Sequence, residues 1–299
     1  MGEISDSDLF ELVVEADEKA LQEGLEPRQR GIRVVEIVMG RLNHLGYVAF
    51  SHNTPEIVKK IHTLHSSLYR PSDIAIGGIH GGIFMFRDVF AHVDIPIILG
   101  QVRLDPLACT NFSKRQTEWL SSRPADFQMF NDQFIDIFDF GGGIGNLSGY
   151  RNPPKEALEI FWLSAFQFQA AAATLSVAFD FRGAIQSALI GTELSIKAGL
   201  AAAGTDEASR KKFGHNLSAA INALSAIYPH FDAKRVLTAV EQLPPYVANR
   251  YAATQPSRVE TGHIVMKAQY IAGEVMRQVT GYSLRSALSG HSGRLYPAI

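Results

Sequence analysis

The hydrophobic and polar positions of the first 70 residues follow the period of an α-helix. Apolar residues recur at spacings of three and four, which places them on one face of a helix. Ser5 or Asp6 can cap the first of these segments, Gly24 ends it, and Pro55 stands at the first helical position of the third segment. The pattern predicts three helices, within residues 5–24, 27–46 and 54–70.

Between residues 73 and 104 the pattern changes. This stretch is rich in Ile, Val and Phe and is interrupted by pairs of glycines and by Pro96, which predicts several short strands joined by turns. Helical spacing returns in residues 110–123 and 125–140. The segment "GGGIGNLSGYRNPP" (141–154) then contains five glycines and two prolines. We interpret it as an interdomain turn and place a domain boundary there.

We predict that the chain beyond this segment consists of helices joined by short loops. Short loops between amphipathic helices favour an antiparallel bundle. The longest apolar stretch, around residues 159–181, is interrupted by Gln167 and Gln169 and is flanked by charges, so we expect a buried helix and no membrane span. The predicted helices cover residues 155–180, 183–203, 215–227, 233–242 and 258–280.

These patterns predict an α+β fold. A mixed α/β region of unknown role occupies residues 1–148, and an all-α bundle occupies residues 153–285. The last residues, 286–299, form an extension that is either docked or flexible.

Composition narrows the classes of function. The chain has 299 residues, 46% of them hydrophobic, and a formal net charge of -2, so any nucleic-acid contact depends on a local basic patch. Cys109 is the single cysteine, which excludes an intrachain disulfide and a cysteine-based zinc site. The acidic N-terminus lacks the features of a secretory signal, and we expect a cytoplasmic protein.

Three short motifs in the helical half occur in a characteristic order. Glu193 and Lys197 lie one helical turn apart, "RKKFGHNL" follows at residues 210–217, and Arg250-Tyr251 precede the last long helix. This order resembles the HEPN family of small helical bundles, over roughly residues 155–282.

The resemblance implies a first reading of the site. Many HEPN domains are metal-independent ribonucleases with an Arg-x(4–6)-His motif, whose composite site is built across a homodimer. Arg210 and His215 have that spacing. The arginine would hold the scissile phosphate, the histidine would act as general acid or base, and Glu193 would support them. Neither a metal nor a cofactor is implied.

The sequence also departs from the catalytic pattern. Lys211 stands where catalytic members carry a small polar residue or histidine, and Gly214 predicts a junction between a loop and a helix. A Gly-His-Asn-Leu helix start with a later Arg-Tyr is similar to the branch that binds nucleotides or partners without cutting. The candidate ligand-binding residues are then Lys211, Lys212, Asn216, Arg250 and Tyr251.

A third interpretation gives residues 210–216 a purely structural role, with neither catalysis nor ligand binding. His215 or Asn216 can cap the helix that starts there, and residues 210–212 can form a solvated loop. The functional alternatives are therefore a HEPN-type protein that cleaves or binds RNA or nucleotides, and a non-catalytic dimerising module that recognises a protein partner through its N-terminal half.

The N-terminal half contains weaker candidates. His62 and His65 are spaced for metal binding on a helix, and Asp132, Asp136 and Asp139 could hold Mg²⁺. We expect instead a histidine pair that lies on the surface or is partly buried, and a solvated helix face. The glycine pairs around His80 permit close approach to a ligand, although turns are the simpler interpretation. A metal-dependent hydrolase is the weakest of the hypotheses.

Overall fold

The computed structural model describes residues 4–43, 54–74, 78–98, 102–150, 153–177, 180–246, 254–288 and 294–297. Cα packing divides the chain into two compact units, Met1–Ile76 and Gly77–Ile299. The described residues are mostly helical and include one two-stranded antiparallel sheet. This agrees with the α+β class predicted from the sequence.

The first unit is made of helices. Ser5 caps the first helix through a bond from the backbone N–H of Asp8, and Gly24 follows its end with a positive φ of 81°, as the sequence predicts. Leu9, Val13 and Val38 belong to its fully buried core. The helices are α1 (Asp6–Gln22), α2 (Pro27–Arg41), α3 (Glu56–Ser67) and α4 (Pro71–Ile74).

A buried polar cluster joins the helices of this unit. The carboxylate of Asp17 accepts a hydrogen bond from the hydroxyl of Tyr69 at 2.6 Å and lies 3.2 Å from Nε2 of His65. Arg30 pairs with the same carboxylate at 3.4 Å and donates to the carbonyl of Leu25 at 2.7 Å. The partners satisfy an acid that would otherwise be costly to bury.

The second unit begins with a β-hairpin and continues with helices. Strand β1 (His80–Phe86) pairs with β2 (Val89–Ile95), with His80 opposite Ile95 and Phe86 opposite Val89. Arg87 turns the hairpin at a φ of 59°. The helices are α5 (Lys114–Ser121), α6 (Pro124–Tyr150), α7 (Lys155–Val177), α8 (Phe181–Ala202), α9 (Glu207–Lys212), α10 (Leu217–Ile227), α11 (Ala233–Glu241), α12 (Arg258–Thr280) and α13 (Leu284–Ala287).

Strand β1 is buried along its whole length among α6, α7 and α12. Its backbone is paired by a side chain from α12: the amide of Gln269 accepts from the N–H of Ile83 and donates to its carbonyl, both at 2.8 Å. These two bonds satisfy backbone groups that the second strand does not reach. The hairpin and the C-terminal helices therefore share one core.

The glycine-rich segment is not a turn, and that prediction was wrong. Gly141, Gly142, Gly143 and Gly145 lie inside α6, which continues to Tyr150. A Cβ atom added to Gly142 would lie 3.2 Å from the ring of Tyr282, and one added to Gly143 would meet Met276. The glycines permit close packing of neighbouring elements on this helix, which offsets their low helix propensity.

The predicted boundary near residue 150 therefore differs from the division at residue 76. Ile83 and Phe140 belong to the same buried cluster as Phe161, Ile196 and Val275 of the C-terminal helices. The five helices predicted beyond residue 155 are present as α7, α8, α10, α11 and α12, within three residues of the expected bounds.

Helix α7 is the described helix that is long and apolar enough to cross a membrane. One of its faces carries Phe161, Ala165 and Phe168 into the core of the second unit, as expected for a buried helix. Its outer face is also apolar, with Leu163 and Phe166 more than half exposed. The packing supports a core helix, and a cytoplasmic location stays a prediction.

The aspartates of α6 form a buried ion-pair network, so the expected solvated face is wrong. Asp132, Asp136 and Asp139 are at most 1% exposed. Asp139 pairs with Arg277 of α12 at 2.9 Å, and Asp132 pairs with Arg285 of α13 at 2.9 Å. Arg294 pairs with Asp136. Burial favours the neutral acid and raises the pKa of Asp139, although Arg277 opposes that effect.

The same network docks the end of the chain. The carboxylate of Asp132 accepts from the backbone N–H groups of Leu295 and Tyr296 at 2.7 and 3.0 Å. Tyr296 is buried. These contacts dock residues 294–297 of the predicted extension onto the second unit. Docking is one of the two alternatives that the sequence left open.

Candidate functional site

His215 and Glu193 form the centre of the candidate site. Nδ1 of His215 lies 2.7 Å from Oε2 of Glu193, whose other oxygen accepts from the ammonium of Lys197 at 2.6 Å. Glu193 and Lys197 are neighbours because they stand four residues apart on α8. Their side chains are only 18% and 20% exposed, whereas that of His215 is 58% exposed. The acid and the lysine are held by packing, and the imidazole faces solvent.

Tyr246 completes the surroundings of the histidine. Its ring stacks on that of His215, with centroids 5.0 Å apart and an angle of 26°. Gln186 holds the tyrosine backbone by donating to its carbonyl at 3.2 Å. His215, Glu193 and Tyr246 line a cleft of about 250 Å³, which we call the His215 cleft. Its other walls come from Leu189, Asn216, Leu217, Ser218, Val240, Glu241, Leu243, Pro244 and Pro245.

The local sequence explains why His215 points out of the bundle. Gly214 has a φ of 53°, a conformation that ends α9 and reverses the chain at little cost for glycine. Asn216 is the N-cap of α10, and its side chain accepts from the N–H of Ala219 at 3.0 Å. The junction predicted at Gly214 and the capping role predicted for Asn216 are both confirmed. His215 lies between these two residues, and its side chain is held by Glu193 and Tyr246.

Arg210 occupies a different environment. Its side chain is 5% exposed, and its guanidinium donates to the carbonyl of Thr205 and pairs with Glu156 of α7. The expectation that residues 210–212 form a solvated loop is wrong, because these residues lie in α9, which Asp206 caps. Arg210 and His215 share no partner among the described residues. The Arg-x(4)-His spacing therefore does not bring the two side chains to one common site.

The remaining predicted ligand-binding residues are dispersed. Lys211 pairs with Glu207 one turn earlier at 2.6 Å and is 73% exposed. Lys212 is also exposed, three residues before His215. Arg250 and Tyr251 lie outside the described residues. Tyr246 belongs to the same "LPPYVANRY" segment and was missed, since a single aromatic residue after two prolines carries no recognisable signal.

The candidate metal sites of the N-terminal half do not form. His65 is buried against Asp17, and burial lowers the pKa of the partly buried His62, with a smaller contribution from His65. The three aspartates of α6 face arginines. Within the described ranges, no group of three or more His, Cys, Asp or Glu side chains is arranged to hold a metal ion.

His80 is buried and does not line a ligand site. Its ring meets Phe140 edge-on at 5.1 Å, and its Nδ1 has no hydrogen-bond partner among the described residues. Burial, with a smaller contribution from His92, lowers the pKa of His80 to about 3. Gly141 of α6 packs against His80, and because it has no side chain it leaves room for the Cβ of His80. The glycine pairs around His80 therefore belong to a buried strand, and neither the turn nor the ligand interpretation holds for residues 80–86.

Among the described residues, Glu193 is the one charged side chain in contact with His215. When the ring is neutral and its Nδ1–H donates to Glu193, Nε2 is an acceptor, and when the ring is protonated both nitrogens donate. Nε2 makes no hydrogen bond to the residues that the structure describes. The cleft thus presents an oriented imidazole and the carboxylates of Glu193 and Glu241.

Comparison with protein-family models gives no match, and neither does comparison with curated proteins or with solved structures. The HEPN resemblance rests on the three motifs quoted above. Two of them, Glu193–Lys197 and the Gly-His-Asn-Leu helix start, meet at the His215 cleft.

Proposed function

We propose that the helical part of this chain is a HEPN-like module that binds RNA or a nucleotide at the His215 cleft, without an Arg210–His215 cleavage pair. The observation that carries the proposal is the placement of His215, which Glu193 orients and Tyr246 stacks while Nε2 stays open to a ligand. Arg210, by contrast, is committed to Glu156 and to the carbonyl of Thr205.

The size and chemistry of the cleft favour one nucleotide unit. Its volume of about 250 Å³ lies below the range typical of drug-sized ligands. Nε2 of His215 can donate to a phosphate oxygen when the ring is protonated. The carboxylates of Glu193 and Glu241 can accept from the amino groups of a base. Exposed Lys212, three residues before His215 in the sequence, adds a positive charge that the net charge of the whole chain does not supply.

Binding measurements on single variants test this proposal. Titration of the full chain with AMP, UMP and a short oligoribonucleotide should give saturable binding in a calorimeter. His215→Ala should weaken it about tenfold or more, since loss of a hydrogen bond to a charged group costs about 1.5–3 kcal/mol. His230→Ala is the matched control because His230 is exposed in another loop.

Two results would count against the proposal. Equal affinity of His215→Ala and the native chain would place any nucleotide elsewhere. Cleavage of RNA that both Arg210→Ala and His215→Ala abolish, with the fold intact, would favour the ribonuclease reading instead.

We further propose that the chain forms a homodimer through the outer face of α7. Five exposed apolar residues follow a spacing of three and four on this face, as in the seam of a coiled coil. We call this row the α7 stripe: Leu163, Phe166, Ala170, Ala173 and Val177.

A second copy of this chain is the occupant that the stripe fits. The stripe is centred on Ala170, with larger residues toward its ends and alanines in the middle. A two-fold axis near Ala170 would therefore place Leu163 beside Val177 of the second copy and Phe166 beside its Ala173. Phe166 would then meet a small side chain, and Leu163 and Val177 would pack against each other, which gives the self-complementarity that an isologous interface requires. The row spans about 21 Å at 1.5 Å per residue.

A further inference from the structure

A second cleft in the same unit is larger than the His215 cleft and has no role in the function proposed above. It has a volume of about 750 Å³ and lies between α6, α12, residues 242–244 and residues 295–296. Its apolar wall contains Met129, Leu243, Ile264, Leu295 and Tyr296. We call it the Lys267 cleft.

Two nitrogen-bearing side chains open into this cleft from an otherwise buried helix. Between Thr261 and Arg277, the positions of α12 that are not buried are His263, Lys267 and Glu274. His263 and Lys267 stand one turn apart, so both face the cleft that they line. The ring of His263 lies nearly parallel to that of Tyr296, with centroids 6.5 Å apart.

The charges of these groups are not compensated by ion pairs. Lys267 forms none with any residue in the described part of the chain, and burial lowers its pKa. Burial also lowers the pKa of His263, and the neighbouring Lys267 adds to this effect. Burial therefore favours the neutral form of the histidine, and among the described residues that line this cleft the lysine is the one cationic side chain.

Carboxylates near the opening limit the charge of a ligand. Asp126 of α6 pairs with Arg123, and Glu260 is exposed in the first turn of α12. A doubly charged phosphate would meet both acids with only one lysine to balance it. A singly charged carboxylate would balance the charge of Lys267 and could accept a second hydrogen bond from the imidazole of His263.

We infer that the Lys267 cleft binds a small organic carboxylate with a flat apolar body. The carboxylate contacts Lys267 and His263, and the body lies against Tyr296, Met129 and Leu243. An aromatic ring would stack on Tyr296, as the ring of His263 already does. The mixture of an apolar wall and a few convergent polar groups is typical of small-molecule sites.

Calorimetry with 2-naphthoate, a flat aromatic carboxylate, tests this inference on the full chain. We expect saturable binding to the native protein and at least a tenfold loss of affinity in Lys267→Met, which removes the charge and keeps most of the length of the side chain. Lys267→Arg should retain most of the affinity. Lys234→Met is the matched control, since Lys234 is exposed on α11. Circular dichroism of each variant shows whether its fold is intact. His263→Gln should lose less affinity for 2-naphthoate than Lys267→Met.

Three outcomes would overturn the inference. The first is no saturable binding of 2-naphthoate to the native chain, and the second is equal affinity of Lys267→Met. The third is equal binding of 2-naphthamide, the neutral analogue, which would show that the carboxylate is not recognised. His215→Ala should leave 2-naphthoate binding unchanged, so failure here is distinguishable from failure of the nucleotide proposal.

Discussion

At the scale of single residues, the environment of a side chain sets its chemistry more than its motif does. Arg210 and His215 have the spacing of a cleavage pair, yet one is buried in an ion pair and the other is exposed beside Glu193. His80 and His215 are both histidines next to glycine, but His80 lies in the core. In the part of the chain that the structure describes, the Nδ1 of His80 has no partner, and a pKa of about 3 keeps the ring neutral.

His80 should make the second unit less stable in acid. Its pKa is about 3 in the folded chain and about 6.5 when unfolded, so between these pH values the unfolded chain binds a proton that the folded chain does not. The contribution of His80 is therefore complete above pH 6.5 and is lost as the pH falls, by up to about 1.4 kcal/mol per pH unit.

Urea unfolding followed by tryptophan fluorescence measures this effect, because Trp119 and Trp162, the two tryptophans, both lie in the second unit. His80→Gln should flatten the dependence of the unfolding free energy on pH between 4 and 6.5. His230→Gln, at an exposed position, should keep the native slope. An unchanged slope in His80→Gln would show that other groups cause the acid sensitivity.

At the scale of elements, the close approach of two long helices explains glycines that look like helix breakers. Gly273 on α12 faces the backbone of α6. A Cβ atom there would lie 2.7 Å from the carbonyl oxygen of Asp136 and 3.1 Å from its Cα. Neither atom can move without bending α6, which also carries the buried ion-pair network.

We expect Gly273→Ala to destabilise the second unit by about 1–3 kcal/mol, as overpacking does elsewhere. The same exchange at Gly40 of α2, where a Cβ would meet nothing within 4 Å, should be neutral or stabilising by up to about 1 kcal/mol. Urea unfolding followed by fluorescence reports on Gly273→Ala, and thermal unfolding followed by circular dichroism reports on both. A neutral Gly273→Ala would mean that α6 and α12 are less closely packed.

At the scale of the whole molecule, the α7 stripe is the feature that bears on assembly. Ala170 stands at its centre, where the proposed two-fold axis would bring the helices closest together. Ala170→Glu would place two like charges in that contact, and burying unpaired charge is strongly unfavourable.

Ala170→Glu should weaken the dimer about tenfold or more. Analytical ultracentrifugation of native and variant chains at micromolar concentration measures this change. Ala226→Glu, at an exposed alanine of α10, should leave association unchanged. A native chain that is monomeric at these concentrations, or an Ala170→Glu dimer of native strength, would contradict the proposal.

Local patterning by itself determined much of this protein. It placed most of the helices of both halves, although not α9 or the end of α6. It also placed the caps at Ser5 and Asn216 and the stops at Gly24 and Gly214, because these depend on spacing and on the chemistry of a few adjacent residues. It also brought Glu193, Lys197 and His215 forward as candidates, since two of them share one helical face.

Tertiary structure decided what depends on partners distant in sequence. The aspartates of α6 can be buried because arginines more than 130 residues later in the sequence pair with them. Arg210 does not contact His215, because its guanidinium donates to the carboxylate of Glu156 on another helix. The glycine run became a helix because His80, Tyr282 and Met276 pack against it. Such contacts leave no local period, so a sequence pattern cannot distinguish a buried charge from a solvated one, or a packing glycine from a turn.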